Sequence, residues 1–254
     1  MTEQIIGIIR KKREFSQLPE KDIEMAFRQF EKRQASEEEK IRLAKELLRK
    51  IFSAFISKKL LSLKDKEPEW ILRKHISTRE RLPYYEEIYK RILNRNKEAS
   101  IIDLGAGING FSYDFFKKIG IKANYTAIES VGQLVELMNY YFIKTKINGK
   151  AIHLSLFEKE KVFDIIKKEK KPRIIFMFKV IDALESLKRD YSKELISELA
   201  NTSDKIVVSF ATRSLASRQR FKAQRDWVVD FISENFNILD DFEKGGERYL
   251  IFSK

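Results

Sequence analysis

From residue 99 onward, short apolar segments alternate with amphipathic helical segments along the chain. The apolar segments are residues 100–104, 125–128, 152–154, 174–178 and 205–210. The helical segments between them are residues 111–119, 131–144, 159–168 and 188–200. Near-continuous apolar strands separated by helices predict a parallel sheet that is covered by helices on both faces. This alternation limits the second part of the chain to an α/β fold.

The last part of the chain has a different pattern. Two β-rich segments, residues 236–241 and 249–252, flank the sequence Lys244-Gly245-Gly246-Glu247. A two-glycine turn between alternating segments is typical of an antiparallel hairpin. Five strand–helix units followed by such a hairpin predict a Rossmann-like sheet of seven strands.

The first part of the chain is predicted to be helical. Residues 19–33 place apolar side chains on one face of a predicted helix. A second predicted helix follows a candidate capping box formed by Ser36 and Glu39, and its apolar stripe continues to Leu60 and Leu61. Residues 1–98 contain 25 basic and 17 acidic side chains. We therefore expect two domains, a basic helical domain at residues 1–76 and an α/β domain at residues 77–254. An ordinary helical bundle with a solvated basic face is the alternative reading of the first part.

The composition narrows the classes of function. The net charge of +13 and a pI near 9.6 favour a polyanionic partner, either nucleic acid or an anionic membrane surface. The absence of Cys excludes disulfides, thiolate metal sites and cysteine nucleophiles, and only two His residues argue against a metal centre. The apolar run at residues 174–178 is far shorter than the ~20 residues of a membrane span, and no signal peptide is evident. We expect a cytoplasmic, monomeric protein without a metal.

A glycine-rich turn follows the first predicted strand. Gly105, Gly107 and Gly110 match the pattern G-x-G-x-x-G, and Glu129 ends the second strand, where a carboxylate can bind ribose hydroxyls. Both a nicotinamide cofactor and S-adenosylmethionine (SAM) would use this acid. Asp103 favours SAM, because a carboxylate before the turn suits a cationic amino-acid tail better than a pyrophosphate. The alternative for Asp103 is a structural cap of the turn.

Two further segments are rich in hydrogen-bond donors. His75-Ile76-Ser77-Thr78-Arg79-Glu80-Arg81-Leu82-Pro83 contains two arginines that could clamp a carboxylate or a phosphate. Pro83 would disrupt a helix that starts at a Ser77–Glu80 capping box, so the segment predicts a short turn followed by a new helix. The other segment, residues 209–215, follows the fifth strand and leads into a basic run that reaches Arg225. This run could meet phosphates or could form a solvated helix face.

Four segments in this order resemble the aminoglycoside-resistance 16S rRNA methyltransferases of the Arm/Rmt type. They are residues 75–82, Asp103-Leu104-Gly105-Ala106-Gly107, Phe178-Lys179-Val180 and residues 209–215, and the likeness covers about residues 70–254. The resemblance implies a SAM-dependent RNA methyltransferase that methylates N7 of a decoding-site guanine in the small ribosomal subunit. It also implies that the helical N-terminal domain docks on that subunit.

The same resemblance assigns the site residue by residue. The expected cofactor-binding residues are His75, Thr78, Arg79, Arg81, Asp103, Gly105, Ala106, Gly107, Glu129, Ser130, Leu156 and Phe157. One arginine would grip the methionine carboxylate, and Leu156 and Phe157 would lie near the adenine. The target base would face Lys179, Arg213 and Ser214. Ala106, Asn109-Gly110-Phe111 and Glu129 depart from the usual family residues, which are Cys, Asn-Pro-Leu and Asp. Since guanine N7 carries no proton, no catalytic acid or base is assigned.

Two other functions stay open on the sequence. One is a guanine-N7 methyltransferase of tRNA. The other is a nicotinamide-dependent oxidoreductase, which the literal match of the glycines to G-x-G-x-x-G indicates. The two-domain interpretation further predicts that the chain without residues 1–68 keeps cofactor binding but loses RNA binding.

Overall fold

The computed structural model describes residues 3–52, 65–93, 96–212 and 225–254. Its centre is a seven-stranded sheet of order β3-β2-β1-β4-β5-β7-β6. The strands are β1 Glu98–Leu104, β2 Lys122–Glu129, β3 Gly149–His153, β4 Arg173–Phe178, β5 Lys205–Ala211, β6 Asn237–Lys244 and β7 Glu247–Ser253. The five strands β1 to β5 run parallel, and β7 pairs antiparallel with both β5 and β6. The predicted sheet is confirmed in strand number and strand direction.

Helices of the described residues cover the sheet and form the N-terminal part. They are α1 Glu3–Arg10, α2 Glu20–Glu31, α3 Glu37–Phe52, α4 Pro68–Leu72, α5 Ile76–Arg81, α6 Tyr85–Leu93, α7 Tyr113–Lys118, α8 Gly132–Lys144, α9 Lys159–Lys168, α10 Ile181–Leu187, α11 Tyr191–Leu199 and α12 Asp226–Asn235. The strand order reverses between β1 and β4, since β2 and β3 lie on one side and β4 and β5 on the other. A crevice opens at such a switch point, beyond the carboxyl ends of the strands.

Alternating side chains of the strands separate two apolar cores. Ile101 and Phe176 belong to the core that also contains the N-terminal helices, whereas Ile102 and Met177 belong to the core beneath α9 to α12. Successive residues of a strand point to opposite faces, so each apolar strand feeds both cores. This explains why the sequences of the parallel strands are continuously apolar and do not alternate between apolar and polar residues.

The N-terminal helices share a core with the sheet. One contiguous apolar cluster extends from Ile5 in α1 to Ile251 in β7. In addition, Nε2 of Gln29 in α2 donates a hydrogen bond of 2.5 Å to the carbonyl oxygen of Leu187 in α10. Over the described residues, the N-terminal helices and the sheet therefore share one apolar core. The part of the predicted second helix that reaches Leu60 and Leu61 lies outside the described residues.

The terminal hairpin forms as predicted. Gly245 and Gly246 join β6 to β7 with φ values of 62° and 77°. Two consecutive residues with positive φ define the tight turn that matches the twist of a hairpin, and glycine adopts this conformation without strain. A Cβ on Gly245 would also lie 2.9 Å from the ring of Tyr84. The hairpin turn is thus packed against the segment that precedes α6.

The segment before Pro83 differs from its prediction. Residues 76–81 form helix α5 instead of a turn, and Pro83 lies in the short 3-10 turn Leu82–Tyr84 between α5 and α6. The helix ends before Pro83, so the proline breaks no internal hydrogen bond. Thr78 anchors the helix, because its hydroxyl donates to the carbonyl oxygen of Leu72 over 2.6 Å. The predicted helix at residues 188–200 begins instead at Tyr191, after Asp190 with a φ of 60°.

Candidate functional site

A cavity of about 550 Å³ lies at the carboxyl ends of the parallel strands, at the switch point. The glycine turn after β1, the end of β2, the loop after β4 and the end of β5 form its walls. The N-terminal helices close it with Asp22, Lys50, Ile51 and Phe52. The cavity therefore collects residues from Asp22 to Arg225, and its volume suits a nucleoside-sized ligand.

The glycine turn is held tightly against the neighbouring strand. Gly105 and Gly107 have φ values of 68° and 55°. The backbone N–H of Gly105 donates to the carbonyl oxygen of Ile128 over 2.9 Å. A Cβ on Gly105 would lie 2.5 Å from Cγ2 of Val180, which is closer than real carbon atoms approach. Gly105 thus leaves the cavity open at a point where any side chain would collide with the loop after β4.

Glu129 is fixed by the backbone on both sides. Its Oε2 accepts the N–H of Gly107 over 2.8 Å, and its Oε1 accepts the N–H of Val131 over 2.8 Å. Burial raises the pKa of this carboxyl group to about 7 in spite of these two hydrogen bonds. A carboxylate has about four lone-pair sites, so Glu129 keeps acceptor capacity for a ligand on the cavity side. The arrangement suits a vicinal diol.

Asp103 lies outside the lining of the cavity. It is buried beneath the glycine turn, where its Oδ2 accepts hydrogen bonds from Nδ2 of Asn109 over 2.7 Å and from the hydroxyl of Tyr125 over 2.5 Å. Burial raises the pKa of Asp103 to about 6. This position favours the structural alternative, in which Asp103 stabilises the turn, over the predicted contact with a cationic ligand group.

The two arginines of the 75–83 segment have different environments. Arg81 lines the cavity, and its guanidinium forms a buried ion pair with Glu247 and a hydrogen bond of 3.0 Å to Oδ1 of Asn109. The guanidinium also lies over the ring of Phe178, 4.6 Å from its centroid. Arg79 is exposed and is not part of the cavity lining. Of the two, only Arg81 is available for the predicted contact with a ligand carboxylate.

His75 is held in its neutral form at the edge of the cavity. Its Nδ1 and the hydroxyl of Ser77 are 2.7 Å apart, which shows that Ser77 engages the imidazole rather than a capping box. Burial, together with the positive charges of Arg81 and Lys179, lowers the pKa of His75 to about 4. A neutral imidazole at physiological pH can accept or donate a hydrogen bond but adds no charge to the site.

Lys179 lies between two carboxylates at the cavity wall. Its Nζ is 3.0 Å from Oε2 of Glu80 and 3.4 Å from Oε2 of Glu247, and its side chain is 17% exposed. Its backbone has a φ of 56°, which is costly for a residue with a side chain. The sheet enforces this conformation, because the N–H of Lys179 donates to the carbonyl oxygen of Ser209 in β5 over 3.0 Å.

The opposite end of the cavity is apolar. Leu156 is buried, and the ring of Phe157 packs on Tyr191 with 4.4 Å between the centroids. Most of the predicted cofactor-binding residues come together in the cavity: His75, Thr78, Arg81, Gly105, Ala106, Gly107, Glu129, Ser130, Leu156 and Phe157. On the target side, Lys179 also lines it, whereas Arg213 and Ser214 lie outside the described residues.

The sequence analysis missed the contribution of the N-terminal helices and of the hairpin. Asp22 resembles an ordinary first-turn acid of a helix, and nothing in its local sequence distinguishes it from Glu20. Glu247 stands in the hairpin turn motif, where a polar residue is unremarkable. Because α2 and α3 form part of the cavity wall, the expectation that residues 1–68 are dispensable for cofactor binding no longer follows.

The described residues offer no group of three or more His, Asp and Glu side chains arranged to hold a metal ion. Within the same residues, no helix combines the length and the apolar character needed to cross a membrane.

One family model matches most of the chain. The sequence profile described as ribosomal RNA methyltransferase (FmrO) matches residues 29–232. A 16S rRNA (guanine(1405)-N(7))-methyltransferase of Proteus mirabilis is 24% identical over 190 residues, which are 72% of this chain and 64% of that protein. A protein of the same name from Frankia casuarinae is 28% identical over 178 residues, which are 63% of this chain and 57% of that protein. The matched regions thus span about 60% of the length of these relatives.

The fold is also found among solved structures. The 16S rRNA methyltransferase RmtF in complex with S-adenosylhomocysteine superposes with a TM-score of 0.80 at 20% identity, over 100% of both chains. At this identity, the superposition establishes a common fold, which is the Rossmann-like methyltransferase sheet with its N-terminal helices.

Proposed function

The chain belongs to the FmrO family of ribosomal RNA methyltransferases, and from this premise we propose that it transfers a methyl group from SAM to N7 of a guanine in the decoding region of 16S rRNA, within the small ribosomal subunit. The observation that carries the proposal is the cavity at the switch point, in which a glycine turn and a buried carboxylate face one another. The oxidoreductase alternative receives no support from the family to which the chain belongs.

The residues of the cavity fit SAM along its length. The acceptor capacity that Glu129 keeps suits the ribose hydroxyls, and the apolar surfaces of Leu156 and Phe157 suit the adenine ring. The open backbone at Gly105 admits the methionine part beside the turn. Arg81 would hold the methionine carboxylate with the Nη1 N–H that remains beside its hydrogen bond to Asn109.

The chemistry requires little of the side chains. SAM supplies an electrophilic methyl group, and N7 of guanine carries an in-plane lone pair and no proton. His75 is neutral, and Glu129 is committed to the cofactor side, so neither is needed to remove a proton. The enzyme must hold N7 in line with the methyl carbon, and such positioning can contribute about 7–11 kcal/mol to catalysis. Lys179 would help to hold the target base, which must leave its stack to reach the cavity.

The charge of the chain supports an RNA substrate. The net charge is +13, and the excess of basic residues is densest before residue 99. We assign residues 1–76 to the docking of the small subunit and residues 77–254 to the transfer reaction, and we expect the protein to act as a cytoplasmic monomer. Binding that neutralises phosphates weakens steeply as the salt concentration rises, because it releases counterions.

The proposal is tested with tritiated SAM and a panel of RNA substrates. The protein is incubated with small ribosomal subunits, with naked 16S rRNA and with tRNA, and the label incorporated into each RNA is counted. We expect the folded subunits to be the best substrate, because a helical docking surface reads shape and phosphates. Label in tRNA alone would favour a tRNA methyltransferase. No label in any RNA would contradict the proposed activity.

A further inference from the structure

Asp22 brings a carboxylate from an N-terminal helix into the cofactor cavity. It lies in the first turn of α2, yet its side chain is buried, with a residue exposure of 2%. It lines the cavity together with Ser130, Leu156 and Phe157. A helix that the family resemblance assigns to RNA docking therefore contributes an acidic group to the cofactor site.

The hydrogen bonds of Asp22 are incomplete. Oδ1 accepts the hydroxyl of Ser155 over 2.7 Å, and the Ser155 oxygen in turn accepts the N–H of Phe157 over 3.1 Å. Oδ2 is buried and accepts no hydrogen bond of ordinary geometry among the described residues, and besides Ser155 the only side-chain donor that approaches the carboxyl group closely enough to influence it is the hydroxyl of Ser130. Burial raises the pKa of Asp22 to about 6. Because buried polar atoms are nearly always paired in folded proteins, an orphaned carboxylate oxygen at a cavity points to a ligand donor.

The position of Asp22 indicates which group of the ligand donates this hydrogen bond. In the proposed function, the ribose hydroxyls are held by Glu129, and the adenine lies against Leu156 and Phe157. Ser155, the partner of Asp22, directly precedes these two residues in the loop between β3 and α9. The adenine ring carries one donor group at its edge, the exocyclic amine. An ionised carboxylate offers only acceptors and so complements this amine.

We propose that Asp22 is a specificity-determining residue of the cofactor site, which accepts a hydrogen bond from the exocyclic amine of the adenine. The inference rests on the proposed function, because it takes the ligand to be an adenosyl compound. It also gives the N-terminal helices a second role, in which α2 recognises the cofactor as well as packing on the sheet. The base analogue that distinguishes this role is hypoxanthine, in which an oxygen acceptor replaces the amine donor at position 6, and the new N1–H lies at the neighbouring ring position.

The test compares S-adenosylhomocysteine with S-inosylhomocysteine by calorimetry on the full-length protein. The unmodified protein should prefer the adenosyl compound by about 10- to 100-fold, the factor expected for one hydrogen bond to a charged group. In Asp22→Asn, the amide can donate to the oxygen of hypoxanthine as well as accept from adenine, so the preference should fall to within about threefold. Glu20→Gln, an exposed acid of the same helix that pairs with Arg10, is the matched control and should keep the full preference.

The outcomes separate the inference from the proposed function. Asp22→Asn removes a buried charge without changing the shape of the side chain, so its melting temperature should be retained or raised while its selectivity falls. Equal weakening of both ligands would overturn the contact with the adenine amine and indicate a ribose contact or a structural role. Failure of the unmodified protein to bind S-adenosylhomocysteine would overturn the proposed function and, with it, this inference. Binding without any preference for the adenosyl compound would overturn the inference alone.

Discussion

Arg81 and Glu247 form a buried ion pair that joins helix α5 to the last strand of the sheet. Nη2 of Arg81 lies 2.9 Å from Oε1 of Glu247, and each side chain is only 2% exposed. Lys179 approaches the same carboxylate to 3.4 Å, and the hydroxyl of Ser209 donates to it. Although burial raises the pKa of Glu247, the charges of Arg81 and Lys179 keep it below its usual value. Through Glu247, the C-terminal hairpin thus holds Arg81 and Lys179, two cations of the cavity wall, in place.

Replacement of Glu247 by Gln should destabilise the protein strongly. The variant leaves the guanidinium of Arg81 buried without its counter-charge, and breaking one side of a buried pair costs about 3–5 kcal/mol. Urea denaturation at neutral pH measures this loss in the free energy of unfolding. Asp241→Asn is the control, because Asp241 pairs with Arg248 in the same hairpin, where the side chain of Asp241 is 36% exposed and that of Arg248 is 33% exposed. It should cost less than about 1 kcal/mol, and equal losses for both variants would contradict the account.

The sequence predicted those parts of the molecule that depend on local pattern. The apolar strands, the two-glycine turn of the hairpin and the position of Glu129 at the end of β2 all follow from periodicity and spacing within about 30 residues. Pro83 predicts a turn at residues 76–81, where the structure has a helix, because the contact between Thr78 and Leu72 that secures the helix is not evident from local sequence.

Other parts of the site could not be predicted, because they depend on packing between distant segments. Asp22 and Ser155 are 133 residues apart in the sequence, and Arg81 and Glu247 are 166 residues apart. Nothing in either local sequence indicates the partner. The role of Asp103 was uncertain for a similar reason, since only the structure shows that Asn109 and Tyr125 occupy its Oδ2.

Gly105→Ala should abolish cofactor binding. The new Cβ would lie 2.5 Å from Cγ2 of Val180, at a position whose φ is positive, so the turn or Val180 must move and the cavity wall changes shape. Gly120→Ala is the matched control, because Gly120 also has a positive φ, of 75°, but no atom lies within 4 Å of its added Cβ. The control should lose only about 1 kcal/mol of stability from backbone strain and bind S-adenosylhomocysteine normally. Calorimetric titration of both variants measures the difference, and normal binding by Gly105→Ala would refute the role of the turn.

Cofactor affinity should increase as the pH rises from about 5.5 to 8. Burial raises the pKa of Glu129 to about 7, and hydrogen bonds from ribose hydroxyls favour its ionised form, so binding should release a proton near pH 6.5. Calorimetry in buffers of different ionisation enthalpy detects this release. The Gln side chain of Glu129→Gln cannot titrate, so this variant should bind the cofactor more weakly at pH 8 and release fewer protons on binding. The proton release that remains comes from Asp22, whose pKa is about 6. A pH profile unchanged in Glu129→Gln would contradict the assignment.

The raised pKa of Glu129 also affects the stability of the protein without cofactor. The pKa of Glu129 is raised above its usual value of 4.5, so the folded state binds the proton more tightly than the unfolded state does. The contribution of Glu129 to stability is therefore fully present below about pH 4.5 and is lost as the pH rises through about 7. Glu129→Gln should remove this loss, which a comparison of denaturation midpoints at pH 6 and pH 8 measures. An identical decline in both proteins would show that Glu129 is not its source.

Thermal unfolding should occur in a single transition. The apolar core that extends from Ile5 to Ile251 joins the N-terminal helices to the sheet, and Gln29 is hydrogen-bonded to Leu187 across the boundary. Differential scanning calorimetry should therefore give a calorimetric enthalpy equal to the van't Hoff enthalpy. Bound S-adenosylhomocysteine should shift the entire transition upward. Two separate transitions would contradict the shared core.

The central claim is that the methyl group is transferred to N7 of a guanine in the decoding region of 16S rRNA. Small ribosomal subunits methylated by the protein are treated with borohydride and aniline, and the cleaved rRNA is mapped by primer extension. Methylation at N7 leaves a positive charge on the base and makes the strand cleavable. The account predicts one SAM-dependent stop at a decoding-region guanine, absent from subunits incubated with Gly105→Ala. A methyl group on an exocyclic nitrogen, a carbon or a ribose, which leaves the strand uncleaved, would contradict it.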